Sequence, residues 1–514
     1  MAELVAALSL GIDLGFGQPM EHVLRQCLIA LRLAEQVGVE EGDRVAVYYT
    51  ALLVNVGCHS DAHEQAKWFG DDIAMKSDKY AYGLHGLKSA AAGIRRLGSG
   101  TDNVLDRFRV GLEFVVSGHR DLSAMITHHA LMARKLGEEL ELTEQTLDAL
   151  DASYEQWDGK GWPGELGGDE VPIAARLAAI GEFTEVAHRV GGVDSARALV
   201  RQQCRKQFDP HLADEFDANA EILLSGLDTA DSWDAVIGAE PALGVVLSGD
   251  QFDAALLAIA DFIDLKSPYS LGHARAVADL AADAAAVLGF PSGEVHTLRR
   301  AGLVHCFGKL GISNAILDKR SPLSAGERER IRMVPYLTER MLRQSPALAA
   351  LGAIAVQNRE RLDGSGHPRG LSGATISRSA RVLGAADAYQ SMREPRAHRD
   401  PRSAEQAALT LREEVRAGRL DPDAVEAVLG AAGHRTSRRR SGPAGLTARE
   451  IDVLRLLARG LTNKDIAARL VISPKTVANH VEHIYTKVGT STRAAAALFA
   501  TQHGLLGDEE PVPV

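Results

Sequence analysis

The chain has 514 residues, 46% of them hydrophobic and only 5% aromatic, with 57 Lys+Arg against 68 Asp+Glu for a net charge of −11. That length exceeds what one hydrophobic core serves and suggests three domains, and the wealth of Ala, Leu, Arg and Glu points to a helical globular protein. The N-terminal MAELVAALSLGIDLGFG has no basic start, and no run reaches the roughly 18 apolar residues needed to span a bilayer, so no membrane association and a cytoplasmic location are expected.

In chain order, LRQCLIALRLAEQVGV and RVAVYYTALLVNVG carry broad apolar faces at helical spacing, as do HARAVADLAADAAAVLGF and TLRRAGLVHCFG further on. Alternating β-branched runs are absent, so an all-α fold is expected. The four cysteines, Cys27, Cys58, Cys204 and Cys306, have no CxxC spacing and fit reduced thiols. The body reads as a diverged duplication. EQWDGKGWPGEL (Glu155 to Leu166) and ERLDGSGHPRGL (Glu360 to Leu371) agree at six of twelve positions, at an offset of 205 that also carries Ala175-Arg176 onto Ala380-Arg381. Upstream the offset is 251, aligning His22 with His273, Gly38 with Gly289, Leu52 with Leu303 and Gly57 with Gly308. The change of offset leaves 46 additional residues in the first copy after Gly57. Asp-Gly and Gly-x-Pro in the shared dodecamer mark a structured loop.

The second copy, through YSLGHARAVADLA, AGLVHCFGKLGISNAILDKRSPLSAGE, ERLDGSGHPRGL and ARVLGAADAYQSMREPRAHR, resembles the HD-GYP family of phosphohydrolases over roughly Asp261 to Leu429. The resemblance implies a helical bundle that hydrolyses cyclic di-GMP at a two- or three-metal site. Carried over one by one, the family's first His falls on His273, its His-Asp pair on His305 and Cys306, the next His on Val334, the His-His pair on Asn358 and Arg359, and the closing Asp on Asp387. Lys309 keeps the family's Lys, and His367 stands for the Tyr of Gly-Tyr-Pro. In the first copy His22 and His129 match the first and later His, Val54 and Asn55 replace His-Asp, Ser153 and Tyr154 replace His-His, Trp162 replaces the Tyr, and Glu182 stands for the closing Asp. Neither copy keeps the family's bridging carboxylate, so no catalytic residue is assigned. A single divalent metal would have His273, His305, Asp387 and a Cys306 thiolate as three or four ligands. His22, His129 and Glu182 form the corresponding set in the first copy. The alternative is that these residues are inherited and buried in hydrogen bonds. A separate cluster, Cys58, His59, Asp61, His63 and Glu64, would place His59 and His63 on one helix face; the alternative is a helix start with a solvated polar face.

Near the C-terminus, GAAGHRTSRRRSGPAG reads as a flexible basic linker whose Arg438, Arg439 and Arg440 either touch DNA backbone or are merely solvated. After it, Thr447 and Glu450 form a capping box ahead of an apolar run, closed by Gly460. A second helix opens at Thr462 or Asn463, Val471 and Ile472 turn, and Ser473-Pro474 open a third helix. Its Val477, Val481, Ile484 and Val488 face inward. Lys475, Thr476, Asn479, His480, His483 and Lys487 lie opposite, and Lys464 precedes them on the second helix; these are side chains suited to base edges and phosphates. From His434 to Arg493 twelve Lys+Arg face four Asp+Glu, so +8 sits here and the remainder carries −19. LTAREIDVLRLLARGLTNKDIAARLVISPKTVANHVEHIYTKVG resembles the LuxR-type helix-turn-helix, with Ala478 where that family commonly has a basic residue. The resemblance implies a third helix in the major groove of double-stranded DNA and a dimer on a two-fold site.

The expected organisation is a first HD-like bundle over 1–235 with an insert at about 58–105, a second HD-GYP-like bundle over 236–430, the linker 431–444, a four-helix module over 445–507 and an acidic tail 508–514. The expected function is a homodimeric transcription regulator whose degenerate HD-type domains sense a nucleotide or other small molecule, or dimerise. The rival is a metal-dependent phosphohydrolase or cyclic-dinucleotide phosphodiesterase with a DNA-binding tail.

Overall fold

A computed structural model of the chain describes residues 1–82, 96, 119–227, 231–241, 246–434, 443–490, 492–503 and 505. The chain divides into two compact units, Met1–His434 and Arg435–Val514. No strand occurs among the described residues, which matches the expected all-α class. No described helix is long and apolar enough to cross a membrane. Arg438, Arg439 and Arg440, the tail 508–514 and much of the insert lie outside the described residues.

The first unit begins with α1 (Ala2–Gly15), α2 (His22–Gln36), α3 (Glu41–Leu53), α4 (Ala62–Phe69), α5 (Asp72–Tyr82), α6 (His119–Glu139), α7 (Glu144–Asp151), α8 (Ile173–Gln203), α9 (Pro210–Leu223) and α10 (Ser232–Gly238). It continues with α11 (Gly249–Asp264), α12 (His273–Val287), α13 (Ser292–Val304), α14 (Asn314–Leu317), α15 (Ala325–Arg332), α16 (Val334–Leu342), α17 (Pro346–Ala355), α18 (Arg378–Arg393), α19 (Ala404–Arg416) and α20 (Pro422–Ala431). Short 3₁₀ turns at Val56–His59 and Phe307–Gly311 follow α3 and α13.

Local geometry repeats at the two offsets. The Asp13 carboxylate accepts the Val23 N–H at 3.0 Å, and Asp264 accepts the Ala274 N–H at 2.8 Å, so each fixes the start of the helix that carries a site histidine. Each of those helices follows a left-handed residue, Glu21 or Gly272. In the shared dodecamer the Glu155 carboxylate accepts the N–H groups of Gly164, Glu165 and Leu166, and Glu360 those of Arg369 and Leu371. Arg176 pairs with Asp209 and its counterpart Arg381 with Asp421, an acid that lies 212 positions after Asp209 and so outside the register of 205. A Cβ on Gly57 would overlap the His129 carbonyl, and one on Gly308 would overlap the Val334 carbonyl. These crossings independently equate His129 with Val334, the pairing that the sequence offset gives.

The two lobes are not separately cored. One hydrophobic cluster runs from α1, α2, α3 and α8 into α11, α13, α16 and α17, with Leu8, Leu24, Leu52, Leu256, Leu303 and Met341 all buried. Helix α1 packs against Phe307–Gly311 and α16, with Gly11 close under Met341 and Leu310, while α11 packs reciprocally against α6. A second cluster joins α12, α18, α19 and α20.

The second unit holds α21 (Ala448–Ala458), α22 (Asn463–Leu470), α23 (Pro474–Val488) and α24 (Arg493–Gln502) around Leu446, Leu454, Ile466, Val477, Ile484 and Ala496. Thr447 and Glu450 make the expected capping box, Thr462 and Asp465 make a second, and Ser473 caps α23 with Pro474 in its first turn.

Candidate functional site

In the second lobe four elements converge. His273 opens α12, His305 and Cys306 lie in the turn after α13, Asn358 and Arg359 follow α17, and Asp387 lies on α18. His273, His305, Cys306, Asn358 and Asp387 are buried, whereas the Arg359 side chain is 37% exposed. The Glu394 carboxylate lies 2.8 Å from His273 Nδ1 and turns Nε2 inward, 3.5 Å from Asp387 Oδ1. His305 Nδ1 lies 2.6 Å from the Gly302 carbonyl, which can only accept, so Nδ1 carries a proton, and Nε2 lies 3.0 Å from the Cys306 sulfur. Asp387 Oδ1 is 3.9 Å from that same Nε2. The ligand atoms of His273, His305 and Cys306 all fall within 4.8 Å of one another, the one such group among the described residues.

Charge in this pocket is closely compensated. Asp387 Oδ2 accepts from Asn358 Nδ2 at 2.9 Å and meets Arg359 Nη2 at 3.0 Å, and Oδ1 accepts from Ser391 at 3.1 Å. Burial alone would raise the Asp387 carboxyl, but Arg359 and the two histidines hold it well below the usual carboxylate range. Burial likewise opposes ionisation of Cys306, and His305 and Lys309 overcome it, keeping that thiol far below its ordinary range. His273 is lowered by burial and by Lys309, yet Asp387, Cys306 and Glu394 carry it up to about 10. Burial together with Arg359, Arg332 and Arg361 pushes the His367 imidazole down to about 4, so cationic groups gather around that residue.

The first lobe distributes its candidates differently. His22 Nδ1 lies 2.5 Å from Glu185 Oε2, and Glu182 instead accepts from Asn55 Nδ2 at 2.6 Å. His129 faces Cys58 Sγ at 3.3 Å through Nδ1 and Asp61 Oδ2 at 3.0 Å through Nε2. The structure therefore brings His273, His305, Cys306 and Asp387 together, and in the first lobe it sets His22 against Glu185, Glu182 against Asn55, and His129 between Cys58 and Asp61. His59 and His63 do not share a helix face: His59 lies in the 3₁₀ turn beneath Gly15, and His63 on α4 turns to Asp318 at 2.8 Å. Gly57, inside that turn, crosses the His129 backbone, and α4 starts only after the crossing. Sequence reading missed Glu185 and Glu394, the carboxylates that orient the two helix-opening histidines.

In the second unit Lys464, Lys475, Asn479 and His483 are exposed, and Thr476 and His480 are half-buried along the same side of α23. Lys487 has a structural commitment as well: its ammonium meets Glu450 Oε2 at 2.7 Å and the Gly445 carbonyl at 3.2 Å, tying α23 to the cap of α21.

Comparison with known proteins places both regions. Residues 258–424 match the HD domain family and residues 444–500 match the family described as bacterial regulatory proteins, luxR family. The chain is 27% identical over 432 residues to 3'3'-cGAMP-specific phosphodiesterase 3 of Vibrio cholerae, covering 83% of this chain and 94% of that one. Over 63 residues it is 49% identical to the uncharacterized transcriptional regulatory protein YhcZ of Bacillus subtilis, covering 12% of this chain and 29% of that one. Its fold matches the crystal structure of the cyclic GMP-AMP specific phosphodiesterase V-cGAP3 of V. cholerae with a TM-score of 0.59 and 24% identity, covering 84% of this chain and 97% of that chain. The protein carries an HD domain at residues 258–424 and a domain of the luxR family of bacterial regulatory proteins at residues 444–500.

Proposed function

We propose that this protein is a cytoplasmic, DNA-binding transcription regulator whose second lobe binds a cyclic dinucleotide or related phosphoester without cleaving it by two-metal chemistry. The observation that carries the reading is the closure of Asp387. Where the family resemblance expects two further imidazole ligands stand Asn358 and Arg359, and both bind the Asp387 carboxylate. A guanidinium beside a metal-binding carboxylate opposes a second cation, and Cys306 replaces the bridging carboxylate, so the donor set does not fit the family's two-metal centre. The same Arg359, partly exposed and grouped with Arg332 and Arg361 around His367, is suited to a phosphate oxygen. The cyclic-dinucleotide names of the Vibrio relatives support that ligand class.

On this reading Lys475 and Asn479 read DNA from α23, with Lys464, Thr476, His480 and His483 beside them, and two chains bind a two-fold operator. Two titrations test it. Alanine at both Lys475 and Asn479 is expected to abolish specific operator binding while circular dichroism stays unchanged; unchanged affinity refutes the DNA role. Calorimetric titration with 3'3'-cGAMP and cyclic di-GMP is expected to show binding that Arg359→Ala weakens at least roughly tenfold, as loss of a charge-assisted contact should; absence of binding refutes the ligand.

One observation favours a second reading, a phosphohydrolase with a single ion: the donor spacing of His273, His305 and Cys306. Held there, a divalent ion would lower the pKa of a bound water and offset phosphoryl charge. Elemental analysis of protein purified without chelator, together with phosphodiesterase assays of His273→Ala, separates the two: stoichiometric metal and turnover lost in the variant support the enzyme.

A further inference from the structure

The first lobe contains a constellation that the regulator reading does not use. Cys58 lies at the offset position of Lys309, so the lobe has a thiol where its twin has an ammonium. Around it stand His129 from α6, with Nδ1 at 3.3 Å from the sulfur, and the Tyr154 hydroxyl at 3.0 Å. On the far side of the imidazole, Asp61 Oδ2 lies 3.0 Å from Nε2. The thiol and the carboxylate face opposite ring nitrogens, so they cannot converge on one cation. What they can do is polarise one another: the carboxylate favours an imidazolium and the imidazolium favours a thiolate, while the Tyr154 hydroxyl lies between the sulfur and the Val54 carbonyl, to which it donates at 3.3 Å.

We propose that Cys58, His129, Asp61 and Tyr154 form a peroxide-reactive thiol site, with Cys58 the nucleophile, His129 its proton holder and Asp61 a positioning residue. The Cys58 thiolate attacks one peroxide oxygen, an S–O bond forms and the O–O bond breaks. Sulfur is oxidised by two electrons to a sulfenic acid, and the departing oxygen takes the proton from His129 and leaves as water. Cys58 keeps 7% of its surface and the Asp61 side chain 17%, whereas Cys27 is fully enclosed in the core. The titratable groups facing the thiol are His129 from α6, Asp61 ahead of α4, and Tyr154 after α7, which in turn feels Glu182 of α8. Cysteine alone would not make this site; the adjacent base, carboxylate and phenol do.

The test treats the full chain with hydrogen peroxide and dimedone and measures adduct at each cysteine by peptide mass spectrometry. An ordinary thiol is a few per cent ionised at pH 7, and a thiolate of lower pKa is a somewhat weaker nucleophile, so Cys58 is expected to react roughly tenfold faster than the more exposed Cys204. His129→Gln is expected to remove that advantage. In a companion iodoacetamide profile, Cys58 stays reactive to lower pH in the wild type than in His129→Gln and in Asp61→Ala, with Asp61→Glu restoring the wild-type profile. Cys58 reacting no faster than Cys204 in the wild type overturns the proposal without recourse to any variant, and so does a profile that neither His129→Gln nor Asp61→Ala moves.

Discussion

His22 and Glu185 show how a single buried pair sets pH dependence. Burial would raise the Glu185 carboxyl, but His22, Arg25 and Arg189 prevail and hold it at about 2. A carboxyl depressed in the folded state contributes stability that is present above its unfolded value near 4.3 and is lost as pH falls toward 2. Glu185→Gln is therefore expected to cost about 3 kcal/mol at pH 6 and progressively less between pH 4.5 and 2, measured by urea melts across that range. The histidines of this arrangement were legible in the sequence, since the offset of 251 aligns His22 with His273. Their carboxylates were not. At the offset of 205 Glu185 falls on Gln390, and the acid that serves His273 is Glu394, four residues on and just past the end of α18, with Gln390 donating to it at 2.9 Å. An acid moved from inside the helix to the residue after it still reaches the histidine but leaves the register that a repeat comparison reads. Val471 is a second residue-scale case. It ends α22 in the left-handed region at φ 54 and is 88% exposed, so it bears backbone strain and packs little. Val471→Gly is expected to stabilise the second unit by about 1 kcal/mol, read as slower hydrogen exchange in α21 to α23.

At the scale of elements, the caps were the most legible feature because they are local. Thr447–Glu450, Ser473–Pro474 and the turn at Val471–Ile472 each need only neighbouring residues, and each stands where the sequence puts it. The crossing of the Val56–His59 turn over α6, and of Phe307–Gly311 over the start of α16, needs a distant backbone instead. Gly57 and Gly308 are the sole local trace of it, since any Cβ would strike a carbonyl across the crossing. Alanine at either glycine is expected to cost about 3 kcal/mol or more, because the obstruction is backbone and cannot rotate away. Gly289→Ala provides the comparison for strain without collision, as that glycine has a φ of 74 and open space around its Cβ. If Gly308→Ala melts within about 1 kcal/mol of Gly289→Ala in urea, the crossing is looser than the structure has it.

For the whole molecule, what duplication could not disclose is that the copies share an interior. Alongside the continuous apolar cluster, a buried polar joint spans the lobes. Asp72 of α5 meets Lys266 at 3.3 Å and Lys76 at 3.4 Å, and its other oxygen accepts from Ser313 Oγ and the Asn314 N–H, both at 2.8 Å. Burial draws Lys266 down to about 8 despite the pairing, while the two ammonium groups keep Asp72 ionised. Neither helical pattern nor repeat offset marks this contact, because Asp72 belongs to the additional residues of the first copy and has no counterpart in the second. Separating the lobes would expose the faces of α1 and α11 and strand Lys266 without its carboxylate. Fragments 1–235 and 236–434 are therefore expected to be aggregated or unfolded alone, whereas 1–434 unfolds in a single calorimetric transition. Asp72→Ala tests the joint inside the intact chain: it leaves two buried ammonium groups facing each other, and a loss of about 3 to 5 kcal/mol is expected from such a broken pair. Two resolved transitions within 1–434, or a stable lobe 236–434, would mean that the shared interior does not couple the copies, and a signal bound in one lobe would then have no packed route into the other.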